Sequence, residues 1–78
     1  MKLEIVTPQK HLYSGEVKSA YFPGTNGFFG ILKDHAPLIS TLSEGSIKIV
    51  EENNKEQMFE INGGVVEVLK NRIIVLAE

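Results

Sequence analysis

Gly24, Gly27 and Gly30 recur at three-residue spacing within Phe22-Pro23-Gly24-Thr25-Asn26-Gly27-Phe28-Phe29-Gly30-Ile31-Leu32-Lys33-Asp34-His35-Ala36-Pro37-Leu38. Glycines so spaced could cradle a phosphate, but a phosphate loop needs Gly-Lys-Ser/Thr opening a helix, and here Phe28-Phe29-Gly30-Ile31 reads on as strand. Asp34 beside His35 offers an acid-base pair. Neighbours in an extended chain point to opposite faces, however, and a catalytic pair needs hydrogen-bond reach. His11 and His35 stand 24 residues apart with one adjacent carboxylate, a pattern that matches no metal-ligand spacing. Ser14, in Tyr13-Ser14-Gly15-Glu16, lacks the Gly-x-Ser-x-Gly of a nucleophile elbow. Phe22, Phe28 and Phe29 with Tyr21 could stack bases, but no basic residue interleaves them. The expectation is a non-catalytic chain with no metal and no cofactor.

The elements that must carry these residues read as strands. Seven Val, eight Ile and three Thr against three Ala favour a pleated surface over a helix. Leu3 and Ile5 alternate with Lys2 and Glu4, and Ile47 and Ile49 with Ser46 and Lys48, the period of half-buried strands. Turn signals fall at Pro8 to Lys10, Ser14-Gly15, Pro23 to Gly27, Lys33 to Pro37, Ser43 to Gly45, Glu51 to Lys55, Asn62 to Gly64 and Lys70-Asn71. That rhythm of about 8 to 12 residues is the one found in sandwiches and barrels. Asn26-Gly27 reads as the tight turn of a hairpin, and Glu51 to Lys55 as an exposed hairpin tip. Of Phe28 and Phe29, alternation allows at most one to be buried.

A chain of 78 residues supports one domain, residues 1–78, whose small core leaves it marginally stable, so that a partner could complete it. Net charge is −2 and the eight Lys and Arg are scattered singly, which disfavours nucleic acid and anionic membrane. No apolar run approaches the roughly 20 residues of a membrane span. The start lacks a signal-peptide core, and with no cysteine the cytoplasm is the expected compartment. Arg72-Ile73-Ile74-Val75-Leu76 and Val65-Val66-Glu67-Val68-Leu69 are apolar on both faces. They are either central strands or strands whose outer face meets another subunit.

The segment Phe-Pro-Gly-x-x-Gly-x-x-Gly-Ile-Leu-x-x-His-Ala-Pro resembles the signature of the epsilon subunit of rotary ATP synthases. Leu3-Glu4-Ile5-Val6-Thr7-Pro8, Leu12 to Val17, Gly45 to Ile49, Ile61 to Val68 and Val75 to Glu78 resemble that family's other motifs, in its order. The resemblance implies an all-β, flattened β-sandwich of two antiparallel sheets with about ten short strands. It implies a rotor subunit at the cytoplasmic face of the inner membrane, associated with the membrane only through the complex. Its partners would be the gamma subunit, along an edge and face that include Thr7, His35 and Ser40, and the ring of c subunits, at Gly24, Thr25, Asn26, Gly27 and Phe28. Two departures stand out. Phe28 occupies a position where relatives often carry an acidic or polar residue, so a ring contact here would be more apolar, with Thr25 and Asn26 supplying hydrogen bonds. Lys33-Asp34 replaces a frequent Pro-Gly. The family's C-terminal helical hairpin, which carries autoinhibition and in some members ATP binding, has no counterpart before Glu78, so neither activity is expected of these residues. A second reading, from another class, is a free-standing small β-barrel that binds nucleic acid or a small ligand.

Overall fold

A computed structural model describes all 78 residues, Met1–Glu78. Eight strands follow one another: β1 (Lys2–Val6), β2 (His11–Gly24), β3 (Gly27–Leu32), β4 (Leu38–Leu42), β5 (Gly45–Glu51), β6 (Glu56–Ile61), β7 (Gly64–Leu69) and β8 (Arg72–Ala77). They make a β-sandwich. β2 belongs to both layers: its first half pairs with β1, and its second half with β3 and β5. One layer therefore runs β2-β1-β8-β7-β4 and the other β3-β2-β5-β6.

Two details differ from expectation. There are eight strands rather than about ten, and the turn signal at Ser14-Gly15 falls inside β2. Gly15 serves there as a gap for an aromatic ring: a Cβ on it would lie 2.7 Å from the Tyr13 hydroxyl oxygen. What bends β2 from one layer to the other is a register shift between Val17 and Ser19, the usual effect of an extra residue in one strand. The pairing is also not wholly antiparallel. β8 lies between β7 and β1 and runs parallel to β1, Leu3 beside Ile73 and Ile5 beside Val75. No hairpin joins these two strands, so their relative direction is free of the antiparallel constraint.

The inward positions follow the alternation. Leu3, Ile5, Ile47 and Ile49 are fully buried, with Phe22 the largest side chain of the core. Phe29 is half-buried and packs on Phe22 with ring centroids 5.6 Å apart, while Phe28 points outward. β7 and β8 are interior strands of their layer, turning Val66, Val68, Ile73 and Val75 inward. Their opposite face is bare.

At the corner between β2 and β6, Tyr13 tilts against Phe59, centroids 5.7 Å apart, and its hydroxyl donates to Glu51 at 3.3 Å. Gln57 donates to the same carboxylate. Burial, and then the charge of Glu51, push the Tyr13 hydroxyl above the ordinary tyrosine range. The folded state thus holds this proton more tightly than the unfolded chain. The stability it contributes is present below the unfolded value of about 10 and is lost as pH rises through the folded one. Thermal unfolding of the native chain should weaken more steeply between about pH 9 and about pH 11 than that of Tyr13→Phe; parallel curves would contradict the role of this contact.

Candidate functional site

The β2-β3 hairpin ends one side of the sandwich. Its register pairs Gly24 with Gly27, so the two turn residues are Thr25 and Asn26, one position earlier than the Asn26-Gly27 turn expected from sequence. Positive φ is needed only at Gly27, at 130°. The primed turn, with both central residues left-handed, occurs instead at Lys70 (φ 52°) and Asn71 (φ 60°). The hairpin is pinned to its neighbours. Thr25 N–H donates to Thr41 O at 3.1 Å, the two threonine hydroxyls meet at 2.7 Å, and Ser43 donates through N–H and Oγ to Pro23 O. This fixes the tip on the C-terminal end of β4.

Just behind the tip, the Phe28 ring is 68% exposed and lies parallel to the Tyr21 ring, with 4° between planes and 6.4 Å between centroids. Tyr21 rests over Gly30, where a Cβ would come within 2.8 Å of the ring. Gly30 is therefore a platform for an aromatic side chain inside β3, not a residue of the turn. Lys48 Nζ sits 5.8 Å from the Tyr21 centroid and pairs with Glu56. Gly24, Thr25, Asn26, Gly27 and Phe28 thus form one surface: an uncharged tip backed by an exposed aromatic stack.

Thr7, His35 and Ser40 do not converge. Thr7 follows β1, where its hydroxyl accepts from Lys10 N–H at 3.1 Å and braces the β1-β2 turn. It lines a shallow hollow of about 700 Å³ shared with Thr41, Gly64 and Leu76. His35 lies at the opposite end of the same layer, in the β3-β4 loop. Its ring Nδ1–H donates to Ala36 O at 2.7 Å, while the adjacent Asp34 is held to Asn71 by two hydrogen bonds. Ser40 sits at the middle of β4, half-buried. The three positions span the layer from end to end, and Asp34 and His35 turn to different partners.

What lies between them is apolar. In register across the outer face, Thr41, Val65, Leu76 and Val6 form one row, and Ile39, Glu67, Ile74 and Glu4 the next. Ile39 is 71% exposed, Leu76 57% and Leu69 47%. Glu67 stands within this patch, and neither ion pair of the chain, Met1 with Glu16 and Lys48 with Glu56, involves it. Isolated exposed apolar residues are ordinary, but a contiguous apolar sheet face rimmed by Glu4, Lys2 and Arg72 has the anatomy of an interface. The apolar runs in β7 and β8 signalled this face. The contribution of Ile39 was not foreseen.

Comparison with known proteins agrees with this geometry. The family model for the ATP synthase delta/epsilon chain, beta-sandwich domain, matches residues 1–78. An ATP synthase epsilon chain of Chlorobium limicola is 47% identical over 77 residues, 99% of this chain and 88% of that protein. One from Leptospira interrogans is 42% identical over 78 residues, 100% of this chain and 61% of that protein. The fold matches a chain of the Euglena gracilis mitochondrial ATP synthase, in an assembly of OSCP, F1 and c-ring, with a TM-score of 0.90 at 18% identity. It also matches one from the central stalk and c-ring of the Tetrahymena thermophila mitochondrial enzyme, with a TM-score of 0.82 at 20% identity. The chain covers 48% and 62% of those two solved chains. By its sequence over the full 78 residues, this chain belongs to the delta/epsilon family of ATP synthase chains, as its β-sandwich domain.

Proposed function

We propose that this chain is a non-catalytic rotor subunit of the ATP synthase central stalk, which grips the gamma subunit and the c ring and so couples ion-driven rotation to ATP synthesis. The observation that carries the reading is the bare apolar face of β4, β7 and β8, around Ile39, Val65, Ile74 and Leu76. That face and the strip from Thr7 through Ser40 to His35 are assigned to gamma. The uncharged tip from Gly24 to Phe28 is assigned to the c ring. Torque transmission needs stiffness, and a close-packed two-layer β-sandwich resists deformation. Each contact need bury only about 800 Å² on this side, with apolar anchors and a polar rim. The chain would work at the cytoplasmic face of the inner membrane and be held there by the complex alone.

Phe28 is the expected anchor on the ring. Its ring is preorganised by stacking on Tyr21, so little side-chain freedom is lost on contact. Retention of the chain on immobilised c ring bound to gamma is the test. Phe28→Ala should weaken the ring-dependent part of that retention about 30-fold, a loss at the lower bound of interface hot spots, and leave the affinity for free gamma unchanged. Retention equal to wild type would remove Phe28 from the ring contact.

A further inference from the structure

Of the four layer edges, two carry no charge, β3 (Gly27–Leu32) and β4, and only β4 borders the apolar outer face. β6, at one edge, carries Glu56 and Glu60, and the first half of β2 carries His11 and Glu16. Charges on an edge strand discourage pairing with another chain. On the other side of the sandwich, β4 reads Leu38-Ile39-Ser40-Thr41-Leu42, with no charge and no proline within it. β4 pairs along its length with β7. On its far side pairing is confined to the C-terminal end, with Leu42 opposite Gly24 and Thr41 bonded to Thr25.

The direction of the free groups follows from one bond. Thr41 O accepts from Thr25 N–H, so the backbone of Thr41 faces away from β7. Backbone groups two residues apart in a strand point the same way, and the N–H and C=O of Ile39 therefore face outward too. A shallow groove of about 330 Å³, lined by Pro37, Leu38, Ile39, Glu67, Val68 and Leu69, runs beside them.

We infer that the free edge of β4 is a strand-addition site, at which an extended segment of the gamma subunit pairs with the backbone of Ile39 and lies against the apolar outer face. The inference rests on the rotor reading above. Main-chain hydrogen bonds would supply register and side-chain pockets the choice of segment. Ile39 is exposed on the outer face, and its cross-strand neighbour Glu67 carries an unpaired charge. The segment that fits is apolar over Ile39 and basic beyond it. A second copy of β4 has no basic residue to offer, which disfavours self-pairing.

The test is an amide-to-ester replacement at Ile39 in the synthetic 78-residue chain, which removes the outward N–H and keeps the side chain. The N–H removed makes no bond to β7, and the Leu38 carbonyl on the β7 side becomes only a weaker acceptor, so thermal stability should fall slightly and unfolding stay cooperative. Affinity for gamma, by calorimetry, should fall about fivefold to tenfold, the worth of one interfacial hydrogen bond. In the unaltered chain, exchange of the Ile39 amide proton should slow when gamma is added. Wild-type affinity of the ester, with an Ile39 amide that exchanges as fast in the complex as in the free chain, would overturn strand addition and leave only side-chain docking on the face. Failure of the unaltered chain to bind folded gamma would overturn the rotor reading itself. Dimerisation of the unaltered chain that the ester abolishes would name a second copy as the occupant and overturn the assignment to gamma.

Discussion

Gly64→Val is expected to remove a large share of the chain's stability. Gly64 opens β7 with φ +150°, and a Cβ there would lie 2.3 Å from the carbonyl oxygen of Leu76 and 3.0 Å from the Cα of Ala77. Both are backbone atoms of β8, the neighbouring strand in register, so no side-chain rotation relieves the contact. The ladder between β7 and β8 must open at its end, and the strained φ adds to the loss. About 3 to 5 kcal/mol is the expected destabilisation, at the upper end for a single change. A chain of 78 residues has roughly 4 to 10 kcal/mol in total. Gly27 is the comparison: a Cβ there meets nothing within 4 Å, so Gly27→Ala bears only the backbone strain. Far-ultraviolet circular dichroism with thermal unfolding distinguishes the two. A Gly64→Val chain that melts cooperatively within a few degrees of wild type would contradict the register of β7 on β8.

Leu76→Asp is expected to weaken association with gamma severely while the fold persists. Leu76 points out of β8 and is 57% exposed, so its replacement leaves no cavity between the layers. In a complex that covers the face, the aspartate would be a desolvated, unpaired charge close to Glu67. Burial of such a charge and loss of an apolar anchor together correspond to about 2 to 4 kcal/mol, a weakening of roughly 30-fold to 1000-fold. Met58→Asp is the control. Met58 is 62% exposed on the outer face of the other layer, where it pairs with Lys48. It should bind gamma as wild type does. Equal losses in both variants would mean that charge, not the apolar face, decides association.

The core was legible because it depends on a local pattern. Alternation placed Leu3, Ile5, Ile47 and Ile49 inward, and they are buried. The turns at Lys33 to Pro37, Ser43 to Gly45, Glu51 to Lys55, Asn62 to Gly64 and Lys70-Asn71 follow from residues that tolerate positive φ or end a strand. Ser14-Gly15 misled because a glycine that makes room for the Tyr13 ring looks the same in sequence as one that turns the chain. Asn26-Gly27 misled by a single residue: the bonds from Thr25 and Ser43 to β4 and β2 set where the hairpin bends, and those partners are distant in sequence. The parallel place of β8 beside β1 is likewise non-local. So is the apolar face. Ile39 looks ordinary within its own strand, and only the register of β4 on β7 and of β7 on β8 sets it beside Val65, Ile74 and Leu76.

Calorimetric titration of the 78-residue chain with the folded gamma subunit of the same organism, at physiological salt, tests the rotor assignment most directly. A saturable one-to-one association at micromolar affinity or tighter, with the negative heat-capacity change of buried apolar surface, is the predicted result. The absence of any heat of binding to gamma shown independently to be folded would contradict it.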